Sequence, residues 1–379
     1  MWTTSPNPST SSASESRAFG ADTIDLDRTA ALTTAITGPP LGPVAVSARR
    51  EEAGTPLVSE RRRGWAEPAK CARVHGYARA VSVLMQRDEI NATLVTGLLQ
   101  EQFPHWAELP VVEVVPGGWD NRTFRLGSDL SVRLPSAESY AGAVEKELTW
   151  LPRLAAALPV AIPVAVAAGR PSPRYPWPWS VRRWLPGRPA TRETVGGSLE
   201  FAEELAEFLV ALQRVNANGG PSAGRQSFYR GADVGVYDEG CRRAIDILGD
   251  PVSRADALAV WKAARESRWD GDPVWFHGDV AAGNLLVRDG HLSAVIDFGT
   301  CGVGDPACDL VIMWTLLDDA AGAAFRTGLG ASDETWARAR GWALWKALIT
   351  AADSQDEAVI GTALQTIALV IEDHLRPRP

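Results

Sequence analysis

The sequence is short of the residues on which several protein classes depend. Only four cysteines occur in 379 residues, Cys71, Cys241, Cys301 and Cys308, and none forms a Cys-x-x-Cys pair. A disulfide framework is therefore not written here, and a reduced, cytoplasmic setting is expected. Long apolar runs are also missing: Val160–Ala168 is short and broken by Pro163, well below the roughly 20 residues that a bilayer span requires. A soluble chain without a membrane partner is expected. Positive charge is in deficit, with a net charge of -8, which argues against nucleic acid as a partner. The same balance suits a cationic ligand without identifying one. What is present is 45% apolar residues, enough to bury at least one core, in a length that allows two or three domains.

Residues 1–84 differ from the rest. They open with a Ser/Thr/Pro-rich tract from Thr3 to Ser16, pass Gly38-Pro39-Pro40 and a basic cluster at Arg61 to Arg63, and show no helical or strand period. A disordered, low-complexity extension is expected. A transit peptide is disfavoured because the first twenty residues carry only Arg17 as a base, and a translation start at Met85 is the remaining reading.

From Asp88 the pattern becomes regular. Ile90, Leu94, Leu98 and Leu99 mark one helical face, and Pro104 and Trp106 its exit. Strands are expected at Val111 to Val115, Thr123 to Leu126 and Leu130 to Leu134, joined by Pro116-Gly117-Gly118 and Gly127-Ser128-Asp129. A helix over Glu138 to Leu151 and strands near Val164 to Ala168 and Trp179 to Leu185 complete a small β-rich lobe. After Pro186-Gly187 the chain reads as helical, with helices at 199–215, 252–267, 306–317 and 333–352.

The richest stretch runs from His277-Gly278-Asp279 through Asn284 to Asp297. Asp289-Gly290 between alternating apolar runs predicts a hairpin in which Arg288 faces His291, Leu286 faces Ser293 and Asn284 faces Val295. Asp297 then shares a face and an open end with Asn284, close enough for one hard cation to be held by an amide oxygen and a carboxylate. Asp279, in the connecting loop, is placed to take a proton from a hydroxyl attacking a metal-bound phosphate. Singly, Asp279 could cap a turn, Asn284 hold the loop and Asp297 end a strand. Their joint arrival beside Gly278, Gly283 and Gly299 favours the site. His277 is expected to support the loop by hydrogen bonding. Asp305, before Pro306, reads as a helix N-cap, and Asp309 as an anchor for the loop.

At the other end, alternation along Leu130–Leu134 points Arg133 into a cleft beside Gly117-Gly118, whose backbone amides could cover nucleotide phosphates. Glu147 falls within the buried stripe of the following helix. It needs a partner there, and Arg133 is the natural one, although a snorkelling Glu147 with none is also open.

In order, a glycine turn, a cation on the third strand, a helix carboxylate, HGDVAAGN and IDFGTCGVGDPACDL resemble the aminoglycoside phosphotransferase family of kinase-like enzymes from about Asp88 onward. The resemblance implies an α+β, bilobal protein-kinase-like fold: a nucleotide-binding lobe at 85–185, with a small antiparallel sheet, and a larger, mainly helical catalytic and acceptor-binding lobe at 186–379. It implies Asp279 as catalytic base and Asn284 and Asp297 as ligands of Mg²⁺. It implies Arg183-Trp184-Leu185 as the interlobe hinge that meets the purine of ATP or GTP. Arg133 departs from the lysine common in such kinases, yet a guanidinium still grips phosphate. The expected activity is phosphoryl transfer to the hydroxyl of a small molecule, an aminoglycoside-type antibiotic or a metabolic acceptor such as a sugar or amino alcohol. A silent nucleotide-binding protein is the reading from another class. Acidic residues at 318–319, 333–334, 353 and 356–357 are as expected of solvated helix ends as of a wall for a polycation. The segment Gln226–Gly231 is a candidate lining of the acceptor site.

Overall fold

The computed structural model describes residues 85–115 and 117–376. The extension expected over 1–84 lies outside the described residues, as do Pro116 and 377–379.

Helix α1 (Ala92–Gln102) begins later than the apolar pattern because Asn91 caps it, accepting from the Leu94 amide at 3.0 Å. It buries Val95, Leu98 and Leu99, with Ile90 just before it; Leu94 is only half-buried. Strands β1 (Val111–Glu113), β2 (Asn121–Leu126) and β3 (Leu130–Pro135) form the expected antiparallel meander. β1 stops short of Val115, which is 78% exposed. Helix α2 (Glu138–Ala155) runs past Pro152, where propensity would end it, because Leu151 and Leu154 are buried. Strands β4 (Ala165–Gly169) and β5 (Trp179–Arg183) complete a five-stranded sheet in the order β1-β2-β3-β5-β4.

Both faces of this sheet are covered at its centre. Phe124, Leu126, Val132, Leu134, Trp179 and Val181 join α1 in one apolar cluster. The opposite face of β3 and β5 carries Ser131, Arg133, Ser180 and Arg182, paired as Ser131 with Arg182 and Arg133 with Ser180. This polar face meets α2.

Beyond Gly187 the chain forms β6 (Arg188–Pro189), α3 (Leu199–Arg214), α4 (Asp238–Leu248), α5 (Arg254–Glu266) and β7 (Val274–Phe276). Next come the hairpin β8 (Leu285–Arg288) and β9 (His291–Val295), with β6 alongside β8, and then β10 (Gly302–Gly304), which pairs with β7. Helices α6 (Asp319–Leu329), α7 (Asp333–Asp353) and α8 (Glu357–Leu375) follow. The helix expected over 306–317 is instead a 3-10 segment, Pro306–Val311, leading into one α turn, Ile312–Thr315. These elements surround a second apolar cluster that also takes in Leu151 and Leu154 of α2. Helix α8 has the length and composition of a membrane-crossing helix, which core helices of folded domains also share. It buries Val359, Ala363, Thr366, Ile367 and Val370 and packs against α7.

Candidate functional site

The β8–β9 hairpin turns at Asp289 and Gly290, both with positive φ (54° and 88°), as the Asp-Gly pair requires. Arg288 faces His291 as expected. The register then shifts: Val287 faces Leu292, but Leu286 faces Ala294 and Leu285 faces Val295. Ser293 is thus the extra residue of a β-bulge, and Asn284 lies opposite Ile296, whose amide it accepts at 2.8 Å, rather than opposite Val295. Asp297 follows in left-handed backbone, φ 67° and ψ 65°. This conformation, not simple alternation, brings its carboxylate to the open end of the hairpin.

The loop before Asn284 is heavily fixed. The amides of His277 and Gly278 donate to the buried Asp309 carboxylate at 2.7 and 2.6 Å. Gly278 has φ 86°, and a Cβ there would stand 2.8 Å from Thr300 Oγ1, so only glycine fits. The Asp279 amide donates to His277 Nδ1 at 3.1 Å, and His277 Nε2 lies 3.0 Å from the Ile296 carbonyl. Those partners assign a neutral imidazole protonated on Nε2, a structural role as expected. Asn284 Nδ2 donates to both the carbonyl (3.0 Å) and a carboxylate oxygen (3.1 Å) of Asp279, fixing the direction of that side chain. Asp305 caps the 3-10 segment at the Ala307 amide and pairs with Arg338 at 2.7 Å. Replacing Asp309 by alanine strands two buried amides, and denaturant titration should show a loss of roughly 3 kcal/mol.

The Arg133 guanidinium reaches the same place and pairs with Asp297. The Asn121 amide oxygen, in the orientation that satisfies both groups, accepts from Arg133 Nε and Nη2 at 3.1 and 2.8 Å. Burial alone would raise Asp297, but Arg133 overrides it and holds that carboxyl below its ordinary value. Glu147 is not its partner. It pairs with Arg182 at 2.6 Å, each side chain only 4% exposed, while Ser180 Oγ accepts from Arg182 Nε at 2.9 Å. The reason lies in the sheet: Arg133 and Arg182 share the polar face under α2, and only Arg133 extends to the open cleft.

Gly117 and Gly118 are exposed, at the turn above the cleft. The Gly118 carbonyl accepts from Arg87 at 2.6 Å. Arg183 pairs with Leu130, at the opposite end of the β3–β5 ladder from Arg133. The Trp184 amide donates to Asp129 O at 2.8 Å, and Arg125 lies 4.2 Å from its ring centroid; Leu185 is half-buried.

Three residues at the site escape sequence reasoning. Asp120 follows the glycine turn, and its carboxyl is pushed up to about 7 by burial, then by Asp297 and Asp279, against Arg133. Lys146 Nζ donates to the carbonyls of Gly299 (2.6 Å) and Cys301 (2.9 Å), tying α2 to the turn after Asp297. Lys346, on α7, is pushed down to about 7 by burial and then by Arg230, against the pull of Asp279 and Asp120. A usable signal is the scarcity of lysine: among 38 Lys and Arg residues only Lys70, Lys146, Lys262 and Lys346 are lysines, and Lys346 sits alone between Ala343-Leu344-Trp345 and Ala347-Leu348-Ile349. Between pH about 7 and 10.5 the unfolded chain holds a proton at residue 346 that the folded chain lacks, so stability from this group rises with pH through that window. Lys346→Met should raise the melting temperature by roughly a few degrees near and below neutrality, and by almost nothing above the ordinary lysine range.

Asp120, Asp279 and Asp297 thus lie close enough to act on one another, with Arg133 offsetting Asp297 and the Asn284 amide fixed on Asp279. Hard oxygen donors in negative excess are the donor set that suits Mg²⁺. Three of the acidic residues considered as an acceptor wall have other partners. Asp318 and Asp356 are the N-caps of α6 and α8, and Asp319 lies 3.7 Å from Arg376.

A model of the phosphotransferase enzyme family matches residues 111–342. Aminoglycoside 3'-phosphotransferase of Escherichia coli is 38% identical over 64 residues, 17% of this chain; the match spans only 24% of that relative's length. Among solved structures, the GDP complex of wild-type aminoglycoside 2'-phosphotransferase-IIIa superposes with a TM-score of 0.58 at 18% identity, covering 75% of this chain and 100% of that one. The GDP and kanamycin complex of APH(2")-IIia gives a TM-score of 0.57 at 19% identity, covering 74% and 98%. At such identities the likeness establishes the fold, which is the bilobal kinase-like one.

Proposed function

The chain belongs to the phosphotransferase enzyme family, and from that premise we propose that it transfers the terminal phosphoryl group of ATP or GTP to a hydroxyl of a small molecule. The observation that carries this reading is the Asp279 carboxylate, fixed by Asn284 beside the Asp120, Asp297 and Arg133 cluster. Asp279 orients the acceptor hydroxyl and takes its proton. The hydroxyl oxygen forms a bond to the terminal phosphorus as the bond to the β–γ bridging oxygen breaks, and the nucleoside diphosphate leaves. Asn284 and Asp297 would hold Mg²⁺, which would neutralise charge on the nucleotide phosphates.

Arg133 grips phosphate, the Gly117-Gly118 amides cover it, and Arg183-Trp184-Leu185 flank the base. Glu147 acts at a distance, holding α2 to the sheet through Arg182. The test is nucleotide consumption by the full chain with magnesium, over a panel of hydroxylated acceptors that includes kanamycin, with phosphorylated product read by mass spectrometry. Binding without consumption of either nucleotide under any acceptor would leave a silent binding protein and sink the proposal.

A further inference from the structure

Near Asp120 and Asp279 the chain gathers aromatic rings and two cations: Phe228 lies 6.3 Å from the Tyr140 ring, whose hydroxyl bonds Asp120, and Lys346 feels Arg230, Asp279 and Asp120. Helix α7 supplies Trp342, Trp345 and Lys346, and the loop before it in space supplies Phe228, Tyr229, Arg230 and Tyr237. Tyr237 stacks on Trp345 with ring centroids 3.9 Å apart, and Trp342 meets the two edge-on at 6.0 and 5.7 Å. Tyr229 stands edge-on to Tyr237 at 6.5 Å and is 42% exposed.

This wall is held at a conformational cost. Phe228 and Tyr229 are consecutive bulky residues in left-handed backbone, φ 47° and 57°, a placement unfavourable for side chains of this size. Three contacts impose it. Tyr237 Oη donates to the Phe228 carbonyl at 2.7 Å, the Tyr229 amide donates to Gly224 O at 2.8 Å, and the fully buried Ser227 hydroxyl donates to Arg230 O at 2.9 Å. Strain so tightly enforced presents Tyr229 and Arg230 in a fixed direction.

The two cations lack ionic partners. Arg230 lies over the Trp345 ring at 5.3 Å and donates to the Phe228 carbonyl at 3.3 Å, yet neither it nor Lys346 forms an ion pair among the described residues. They repel each other while both feel Asp120, and Lys346 also feels Asp279. A half-buried guanidinium beside an amine pushed down to about 7 favours an anion between them, since the anion would offset their repulsion and restore the proton on Lys346.

We infer that the acceptor is a hydroxyl compound with an apolar ring face and an anionic substituent, a carboxylate or phosphate, and not a polycationic amino sugar. Its ring lies against Tyr229 and Tyr237, which Trp345 backs from within, its anion meets Arg230 and Lys346, and its hydroxyl is presented to Asp279. The inference rests on the phosphotransferase reading for the last of these contacts.

The test uses the full chain with magnesium and nucleotide and a matched pair of probes, para-(hydroxymethyl)benzoate and para-(hydroxymethyl)benzylamine, which share ring and hydroxyl and differ in charge. Calorimetry should show the benzoate binding about tenfold or more tighter, the equivalent of one charge-assisted hydrogen bond. Arg230→Gln and Lys346→Met should each erode that preference while nucleotide affinity is retained. Equal or tighter binding of the benzylamine or of kanamycin, or no binding of either probe, overturns the inference, and the wild-type comparison holds even if a variant misfolds. Failure to bind or consume nucleotide at all would instead strike the phosphotransferase reading.

Discussion

Asp279→Asn is expected to lower kcat by about 10²–10⁴-fold while the dissociation constant of the magnesium nucleotide stays within about twofold. Asparagine is nearly isosteric and its amide oxygen can still accept from Asn284 Nδ2, which donates to the Asp279 carboxylate at 3.1 Å. The His277–Asp279 backbone contact is likewise untouched. What disappears is an acceptor for the hydroxyl proton, a loss felt in the transition state and hardly at all in nucleotide binding. Steady-state kinetics paired with nucleotide titration separates the two quantities. Wild-type turnover in the variant would remove Asp279 from the chemistry, whereas a parallel fall in nucleotide affinity would assign it to holding the metal.

The second large effect is structural. Glu147→Ala should destabilise the fold by about 3–5 kcal/mol, because it leaves the Arg182 guanidinium charged, 4% exposed and unpaired. Neither partner is fully satisfied even now: Glu147 Oε1 and Arg182 Nη1 are buried without a hydrogen bond. Replacing both, as Glu147→Leu with Arg182→Met, should therefore recover most of the loss. Denaturant unfolding of the two single variants and the double variant closes the cycle. The sequence-based pairing of Glu147 with Arg133 predicts something else, a variant of near-normal stability with weakened nucleotide binding. That result would restore Arg133 as the partner.

The contrast shows what the sequence made legible. Local rules placed the meander, the Asp289-Gly290 turn, the Asp305 cap and the loop from His277 to Asn284, since each depends on residues a few positions apart. Among the residues singled out, Asp279 contacts Asn284 and Arg133 contacts Asp297. The bulge at Ser293 was not foreseen, because alternation counts residues as if none were extra. Glu147 was correctly seen to need a cation, but two arginines on one sheet face satisfy that rule equally and only the strand pairing chooses between them. Lys346 and Asp120 come from segments more than two hundred residues apart, and the charge they share is created by folding. Helices α4, α6 and α8 were missed as well; α6 carries two glycines within DAAGAAFRTGL, and packing against α3, not propensity, sustains it.

The bulge makes the hairpin a counted length. Its tip is exposed, so a residue added to each strand there lengthens the ladder and leaves every side chain on its original face. A single residue added to β9 after the bulge would instead turn the next carboxylate to the far side of the sheet. The miscount cannot be absorbed by sliding. Ser293 Oγ bonds the Pro186 carbonyl at 3.2 Å, and a Cβ on Gly187 would stand 2.8 Å from that same oxygen. Among chains that share this hairpin, insertions should therefore collect at the tip, while the stretch from Ala294 to Asp297 tolerates exchange of residues but keeps its length.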